Sequence, residues 1–185
     1  MRQSSISYFA DMLLCPLLAV VLAIFASTRF AKLALVEWSV MVIAGVVLWT
    51  LVEYAMHRLI YHRVDLFKRY HEAHHASPQA YVGAPPGVGS GLIFLLSFAP
   101  LVELAPALAN GLTVGILSGY TIYMWVHHAC HFWTPAPGGY LYRVRLQHAV
   151  HHYRDHEGNF GVTTAFWDRV FATRVEGAVG HSQVT

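Results

Sequence analysis

Long apolar runs separated by short polar segments dominate the chain. The first run, Met12 to Thr28, is about long enough to cross a bilayer, and a polar connection from Arg29 to Glu37 follows it. The next helix is predicted from Trp38 to about Tyr61, although it stays apolar only as far as Val52. Its polar last turns must therefore leave the hydrocarbon, because charged groups are costly there.

Two further apolar runs lie later in the chain, from Gly91 to Leu108 and from Leu112 to Val126. Only residues 109–111 separate them, so we expect a helical hairpin with its turn at Ala109-Asn-Gly. The four runs together predict an all-α integral membrane protein with about four membrane helices. The polar segments beside them are expected to form a histidine-rich helical cap.

Composition agrees with a membrane protein and excludes several other classes. Of 185 residues, 56% are hydrophobic and only 12% are charged, which is too apolar for an ordinary soluble domain. The net charge of +2 without a long basic stripe argues against a nucleic-acid partner, and two cysteines give no disulfide framework. A cleavable signal peptide would also begin with a basic and then an apolar stretch, but the further apolar runs favour a retained helix. Without a long linker, residues 1–185 are predicted to form a single domain.

Basic residues indicate the orientation in the membrane. Four of them lie between Glu53 and Ser90 and five follow Val126, whereas the predicted turn at 109–111 has none. Arg29 and Lys32 argue the other way, but the majority places both histidine-rich segments on the cytoplasmic side. A multi-pass protein with its cap in the cytoplasm is therefore expected.

Histidines recur beside the apolar runs at spacings typical of metal ligands. His71, His74 and His75 are expected within roughly 60° of one another on a helix, so that all three face one point. The same His-x-x-His-His spacing recurs at residues 148–152. Ten candidate ligands result: His57, His62, His71, His74, His75, His127, His131, His148, His151 and His152.

Two of the candidate ligands do not fit a regular helix. His57 and His62 would sit about 140° apart on an ideal α-helix, so we expect His62 to follow a helix end that bends back. Isolated histidines are usually ordinary core or surface residues, and we expect this of His128, His156 and His181.

Ten imidazoles exceed what one ion can bind but suit two ions with about five ligands each, leaving positions open for dioxygen. Imidazole binds iron, copper, nickel and zinc, so the ligand type alone does not select the metal. Two divalent ions among neutral ligands call for nearby carboxylates that balance the charge and orient the rings. Glu53, Glu72 and Asp155 are candidates, and their alternative role is as solvated salt-bridge partners.

These motifs, taken together, resemble one known family. They are Glu53-Tyr-x-x-His-Arg-x-x-x-His, His71-x-x-His-His-x-x-Pro, Pro85-Pro86, His127-x-x-x-His131, His148-x-x-His-His and a closing segment from Asn159 to Thr173. The region from about 53 to 173 is similar to the integral-membrane fatty acid hydroxylase and sterol desaturase superfamily. The resemblance is strongest to its fatty acid 2-hydroxylase branch, without a cytochrome b5 domain.

This resemblance implies a four-helix membrane fold with a cytosolic dimetal centre that uses dioxygen to hydroxylate a long-chain acyl lipid. Iron is the expected metal and zinc a possible replacement, and the ten histidines would be the ligands, with no further catalytic residue. Tyr123 and Trp125 are candidate substrate residues. Met124, however, stands where the 2-hydroxylase pattern has aspartate, and the stretch between His62 and His71 is shorter than in eukaryotic members.

Three points of function stay open at this level. A sterol desaturase or a carotenoid hydroxylase uses similar histidine motifs, and a metal-binding or metal-transport membrane protein is the non-enzymatic alternative. Transport usually needs polar ligands at bilayer depth, whereas nearly all ligands here lie outside the apolar runs. The segment Ala136-Pro-Gly-Gly lacks the histidine of the cytochrome b5 motif, so we expect a separate small redox carrier and a reductase as electron donors.

Overall fold

The computed structural model describes residues 3–177, and its regular elements are all helical. They are α1 (Ser5–Arg29), α2 (Lys32–Ala55) with a π-helical turn (Met56–Tyr61), α3 (Asp65–Ala76), α4 (Val88–Ile93) with a π-helical turn (Phe94–Phe98), α5 (Pro106–Phe132), α6 (Tyr140–Tyr153) and α7 (Phe166–Val170). The prediction of an all-α protein is confirmed for this part of the chain.

The chain divides into two units. The first contains the chain up to Trp49 together with Gly83–Ile122, and the second contains Thr50–Val82 together with the chain from Tyr123 onward. Helices α2 and α5 begin in the first unit and end in the second. Every candidate metal ligand belongs to the second unit.

Two helical stretches in the described residues are long and apolar enough to cross a membrane. They are Ser5–Arg29 and Ala34–Tyr61, and an 18-residue window within each has a mean hydropathy of 2.4 and 2.1, respectively. Both expose many apolar side chains, as on the face of α2 formed by Val36, Val40 and Ile43, although 33% of the apolar stretch of α1 is buried. A helix that keeps an apolar stripe on its outside is suited to contact with lipid, so these helices indicate a membrane protein.

Small residues let α2 and α5 approach closely within the first unit. A Cβ atom added to Gly115 would lie 2.2 Å from the carbonyl oxygen of Val42, and one added to Gly45 would lie 2.5 Å from that of Leu112. Such glycine contacts are typical of helix pairs in membranes, where dispersion contacts and not water exclusion drive packing. Polar side chains reinforce the pair, since Trp38 Nε1 donates to Asn110 Oδ1 at 2.7 Å.

The helix boundaries correct three predictions. The first helix begins at Ser5, not at Met12, and only Phe30 and Ala31 separate it from α2, so the polar connection is shorter than expected. The prediction of a hairpin turn at residues 109–111 was wrong, because those residues lie inside α5.

The chain turns instead between Phe98 and Pro106. Proline supplies the reason: Pro100 has no N–H to continue the preceding turn, and Pro106 occupies the first position of α5, where a missing N–H costs nothing.

The second unit packs the end of α5 against α6 and the loop that follows it. Its apolar core consists of Val126 and Cys130 from α5, Val144 from α6 and Val162 from the loop. This core fixes the two helices that carry five of the ten candidate ligands. Helix α6 thus carries the second His-x-x-His-His motif in its last turns.

Candidate metal centre

The ten histidines come together as two groups of five. The first histidine group is His57, His62, His71, His75 and His151. The second histidine group is His74, His127, His131, His148 and His152. In each group one ring nitrogen per residue faces the others, and these atoms all lie within 4.8 Å of one another.

Helix α3 contributes to both groups, which corrects the prediction that its three histidines face one point. His71 and His75 are four residues apart and share a helix face, and their Nε2 atoms are 2.9 Å apart. His74 and His75 are successive residues, about 100° apart around the helix. His74 therefore turns to the second group, where its Nε2 lies 3.1 Å from that of His127.

Helix α6 divides its histidines in the same way. His148 and His152, four residues apart, belong to the second group, whereas His151 belongs to the first. Each His-x-x-His-His motif thus supplies a pair to one group and a single ligand to the other. The two motifs do so with opposite assignment, and this reciprocity yields five ligands per group.

A π-helical turn explains how His62 reaches His57. Met56–Tyr61 follows the i to i+5 hydrogen-bonding pattern, which places residues five apart about one turn from each other. The helix ends at Tyr61, and the His62 ring centroid lies 5.2 Å from that of His57. The prediction that His62 follows a helix end is confirmed, and the π-helical turn is the means.

Nitrogen spacing in both groups fits metal ligation. Two imidazole nitrogens bound to one ion at about 2.0–2.1 Å and at right angles would lie about 3 Å apart. The closest Nε2 pairs of the first group are 2.9–3.3 Å apart, and those of the second group 3.0–3.2 Å. His71 Nε2 lies this close to two other nitrogens at once, 3.0 Å from His57 Nε2 and 2.9 Å from His75 Nε2.

His152 gives the sharpest sign that ligands belong here. Both of its ring nitrogens are buried, and neither has a hydrogen-bond partner within residues 3–177. A buried polar group without a partner is destabilising, and native proteins rarely leave one. A metal ion would satisfy the Nε2 lone pair, so the second group fits an ion bound among its five nitrogens.

Burial keeps the rings of the cap in the neutral form that binds metals. It lowers the pKa of His74 to about 4. Burial, with the neighbouring imidazoles as a second cause, lowers the pKa of His75 and of His151 to about 2. The pKa of His71 and of His152 is lowered further for the same reasons. At pH 7 these side chains present lone pairs and not positive charges.

Backbone carbonyls orient two rings of the first group. The carbonyl oxygen of Phe160 lies 2.6 Å from His57 Nδ1, and that of Gly158 lies 2.7 Å from His151 Nδ1. A carbonyl only accepts, so each Nδ1 carries the proton and each Nε2 keeps its lone pair for a metal.

The expectation that carboxylates orient the rings is therefore not met by the hydrogen bonds of the described chain. Glu72 pairs with Lys68 at 3.9 Å on the exposed face of α3, and Asp155 accepts from the backbone N–H of Glu157. Glu53 is buried, but its carboxylate binds the loop after α6 and not a histidine. Glu72 lies on a helix surface and Asp155 in a loop, and each bonds a donor close to it in sequence.

Loop 158–163, between α6 and α7, belongs to the closing segment of the family motifs, but the sequence did not reveal its contact with the histidines. It presents the two carbonyls described above, and the buried Asp168 of α7 accepts from its backbone. The Asn159-Phe-Gly segment indicates a turn, and Asn159 does have a positive φ of 54°. No pattern in the sequence shows that the turn faces histidines.

A cavity of about 340 Å³ lies beside the second group. Its walls include His131, His148 and His152, together with Arg145 and Cys130 and the segment 77–80. The cavity therefore gives the second group direct access to a small molecule or to part of a larger one.

The two candidate substrate residues lie differently. Tyr123 stacks on His127 with ring centroids 5.6 Å apart and nearly parallel planes. Trp125 is 38% exposed and contacts His128, at 6.2 Å between centroids.

The three isolated histidines also differ from one another. His128 stacks on Phe132, and the exposed His156 donates from Nδ1 to the carbonyl oxygen of His151 at 2.8 Å. The His156 ring lies 4.7 Å from that of His75, at the edge of the first group. His181 lies outside the described residues.

The chain is similar to several known proteins. The fatty acid hydroxylase family model matches residues 42–173. A fatty acid 2-hydroxylase of Rattus norvegicus is 34% identical over 145 residues, which are 72% of this chain and 39% of that protein. The dihydroceramide fatty acyl 2-hydroxylase FAH2 of Arabidopsis thaliana is 31% identical over 172 residues, which are 85% of this chain and 69% of that protein.

A solved structure agrees with the sequence matches. The structure described as full-length scs7p, with only the hydroxylase domain visible, superimposes with a TM-score of 0.78 at 25% identity and covers 92% of this chain and 67% of that one. The chain spans about two-fifths of the length of several curated relatives it matches, including the rat protein. The family match begins within the second apolar helix and extends over both histidine groups and loop 158–163, and by it this chain belongs to the fatty acid hydroxylase family.

Proposed function

We propose that the protein is a dioxygen-dependent lipid hydroxylase that inserts one oxygen atom into a C–H bond of a long-chain acyl lipid through a non-haem dimetal centre. One observation carries the proposal: ten histidines converge as two groups of five, with Nε2 spacings near 3 Å. Family membership supports the reaction class, and the relatives named as fatty acid 2-hydroxylases and dihydroceramide fatty acyl 2-hydroxylases favour carbon 2 of an acyl chain.

The two histidine groups would each hold one ion, iron in the active protein and zinc as a replacement that such sites bind more tightly. When bound, iron supplies dioxygen binding and the electron transfer that breaking an unactivated C–H bond requires. The overall change balances as one C–H bond, dioxygen, two electrons and two protons giving one C–OH group and water. The two electrons come from a separate reductase through a small redox carrier.

The side chains of this protein bind and orient; they do not react. His57 and His151 are held by backbone carbonyls with their lone pairs inward, and buried neutral rings keep protons from competing for the nitrogens. We propose that the cavity beside His131, His148 and His152 receives the reacting part of the acyl chain or dioxygen. Tyr123, stacked on His127, would border the substrate, and Trp125 is kept as a second candidate at the exposed face of α5.

Product analysis under ¹⁸O₂ with a reducing system tests the reaction. An acyl product that gains one labelled oxygen atom is expected. A new double bond without added oxygen would instead identify a desaturase, one labelled oxygen on a carotenoid would identify a carotenoid hydroxylase, and no dioxygen-dependent product with any lipid class would leave a metal-binding or transport protein as the better reading.

Matched variants separate ligands from bystanders in the same assay. His71→Ala and His148→Ala each remove one nitrogen from a different group and should abolish turnover. Ser77→Ala and Cys130→Ala each remove a nucleophilic atom from the cavity wall and should spare kcat even where they change KM, because no covalent intermediate with the protein is required. Loss of kcat in the second pair with normal metal content would argue for a protein nucleophile.

The membrane arrangement is part of the proposal. We propose four membrane helices, α1, α2, α4 with its π-helical turn, and α5, in one domain over residues 1–185, with the metal centre on the cytoplasmic face. Single cysteines at Ser77 and at Ala31, in a background with Cys15→Ala and Cys130→Ala, distinguish the two sides. An impermeant reagent applied to sealed cells should label position 31 and leave position 77 unlabelled; the opposite result would invert the orientation.

A further inference from the structure

Asp168 holds the first half of loop 158–163. Its Oδ1 accepts from the backbone N–H of Phe160 and its Oδ2 from that of Gly161, both at 2.8 Å. Oδ1 also accepts from the hydroxyl of Thr173 at 2.8 Å. Gly161 has to be glycine here, since a Cβ atom would lie 2.1 Å from the carbonyl oxygen of Thr164 and 2.8 Å from Asp168 Oδ2.

Glu53 holds the second half of the same loop. Its Oε1 accepts from the backbone N–H groups of Val162 at 2.6 Å and Thr163 at 2.8 Å, and its Oε2 accepts from the Thr163 hydroxyl at 2.6 Å. Glu53 and Asp168 are 4% and 1% exposed, so water does not compete for these bonds. Four consecutive N–H groups, from residue 160 to residue 163, are thus bound by two buried carboxylates.

The carbonyls of the same loop point at the first histidine group. Gly158 and Phe160 accept from the rings of His151 and His57, and Asn159 between them has its backbone N–H bonded to the carbonyl of Thr173. Fixing the N–H side of this short loop therefore also fixes where its two carbonyls lie. The rings that the loop reaches by hydrogen bonds both belong to the first group.

We infer that Glu53 and Asp168 are positioning residues for the first histidine group: they hold loop 158–163 so that its carbonyls set the tautomer and direction of His57 and His151. The inference rests on the proposed function in that it requires this group to bind a metal ion. Groups that hold a metal-binding imidazole from behind typically change metal affinity by 10- to 100-fold when they are lost.

The two carboxylates differ in how they tolerate an amide. In Asp168→Asn the new NH₂ group must face the N–H of either Phe160 or Gly161, because each carboxylate oxygen binds one of them. In Glu53→Gln the carbonyl can keep both backbone N–H groups, while the NH₂ faces the Thr163 hydroxyl, which can accept. Asp168→Asn is thus the disrupting change and Glu53→Gln its matched control.

Cobalt binding tests this without relying on turnover. The full chain is purified in detergent, stripped with a chelator and titrated with Co²⁺, while the visible absorption of the bound ion and the number of ions per chain are followed. Wild type should bind two ions. Asp168→Asn should bind one of them about 10- to 100-fold more weakly and the other normally, and Glu53→Gln should resemble wild type.

The outcomes separate the two proposals. A wild-type chain that binds no Co²⁺ would overturn the dimetal function itself. Two ions in wild type, with Asp168→Asn weakening both equally or neither, would overturn only the positioning role, because general destabilisation does not select one group. If Asp168→Asn does not fold, Thr173→Val takes its place, because it removes one hydrogen-bond donor from the same carboxylate. This variant should weaken binding of the same ion to a smaller extent. Unchanged Co²⁺ binding in Thr173→Val would also overturn the inference.

Discussion

His152 combines two properties that conflict in a protein without a ligand. The ring is buried, and within residues 3–177 neither nitrogen has a hydrogen-bond partner. Burying those nitrogens without partners lowers the free energy of unfolding, and no hydrogen bond in the described protein offsets that loss. A residue selected for packing alone would be apolar at this position.

Replacing His152 with leucine should therefore separate stability from metal binding. Without metal, His152→Leu should unfold at the same temperature as wild type or higher. The substitution removes an unsatisfied buried polar group, which destabilises the folded protein by about 1–3 kcal/mol. With metal, the variant should lose the ion of the second group. Thermal unfolding with and without a chelator, together with metal analysis, measures both effects.

His128→Ala is the control for that measurement, since His128 lies on α5 beside the second group without belonging to it. It should leave metal content almost unchanged. A metal-free His152→Leu protein that is clearly less stable than wild type would mean that His152 has a structural role of its own.

Helix α3 supplies ligands to both histidine groups. Its i, i+4 pair, His71 and His75, belongs to the first group, and His74 belongs to the second. The helix needs no distortion to do this, because neighbouring residues differ by about 100° in direction. Helix α6 mirrors it with the pair and the single ligand exchanged.

Adjacent substitutions on α3 should consequently deplete different ions. His75→Ala should weaken the first group's ion, His74→Ala the second group's, and the double variant His71→Ala with His75→Ala should again affect only the first. Co²⁺ titration followed by visible absorption would show two distinct single-site spectra for the two single variants.

Glu72→Ala, which removes an exposed partner of Lys68 on the same helix, should leave both ions bound. Identical spectra for His74→Ala and His75→Ala would show that the two groups act as one site and would contradict the division described here.

The molecule as a whole buries many imidazoles in neutral form, and this makes its stability depend on pH. Burial lowers the pKa of His74 to about 4 in the folded protein, and an unfolded histidine has a pKa of about 6.5. Above pH 6.5 neither state takes up protons at this site, so stability is constant. Below it the unfolded state binds the proton first, and stability falls as the pH falls, until the folded pKa near 4 is reached.

For the metal-free protein we therefore expect an unfolding temperature that is flat between pH 7 and 8 and falls from about pH 6.5 downward. Each such histidine lowers the free energy of unfolding by about 1.4 kcal/mol for every pH unit of acidification in that window. His74→Leu should reduce the slope by the share of one histidine. A flat unfolding temperature down to pH 4.5 would mean that the rings are not buried in neutral form. Bound metal should steepen the loss, since protons compete for its ligands.

The sequence by itself determined the helical class, the ten candidate ligands and the family, because these depend on local composition and on spacing along one helix. His-x-x-His-His and His-x-x-x-His are visible without a structure, and so is an apolar run long enough to span a bilayer. A local pattern does not show in which direction a side chain points in the folded protein.

Only the tertiary structure decided which group each histidine joins, since the direction of His74 matters only once α5 and α6 lie opposite it. It likewise decided that the chain turns between Phe98 and Pro106, and that a π-helical turn brings His62 to His57. The position of loop 158–163 depends most on the tertiary structure, because Glu53 and Thr163 are 110 residues apart in sequence and meet only in the folded chain. Local periodicity carries no information about contacts at that separation.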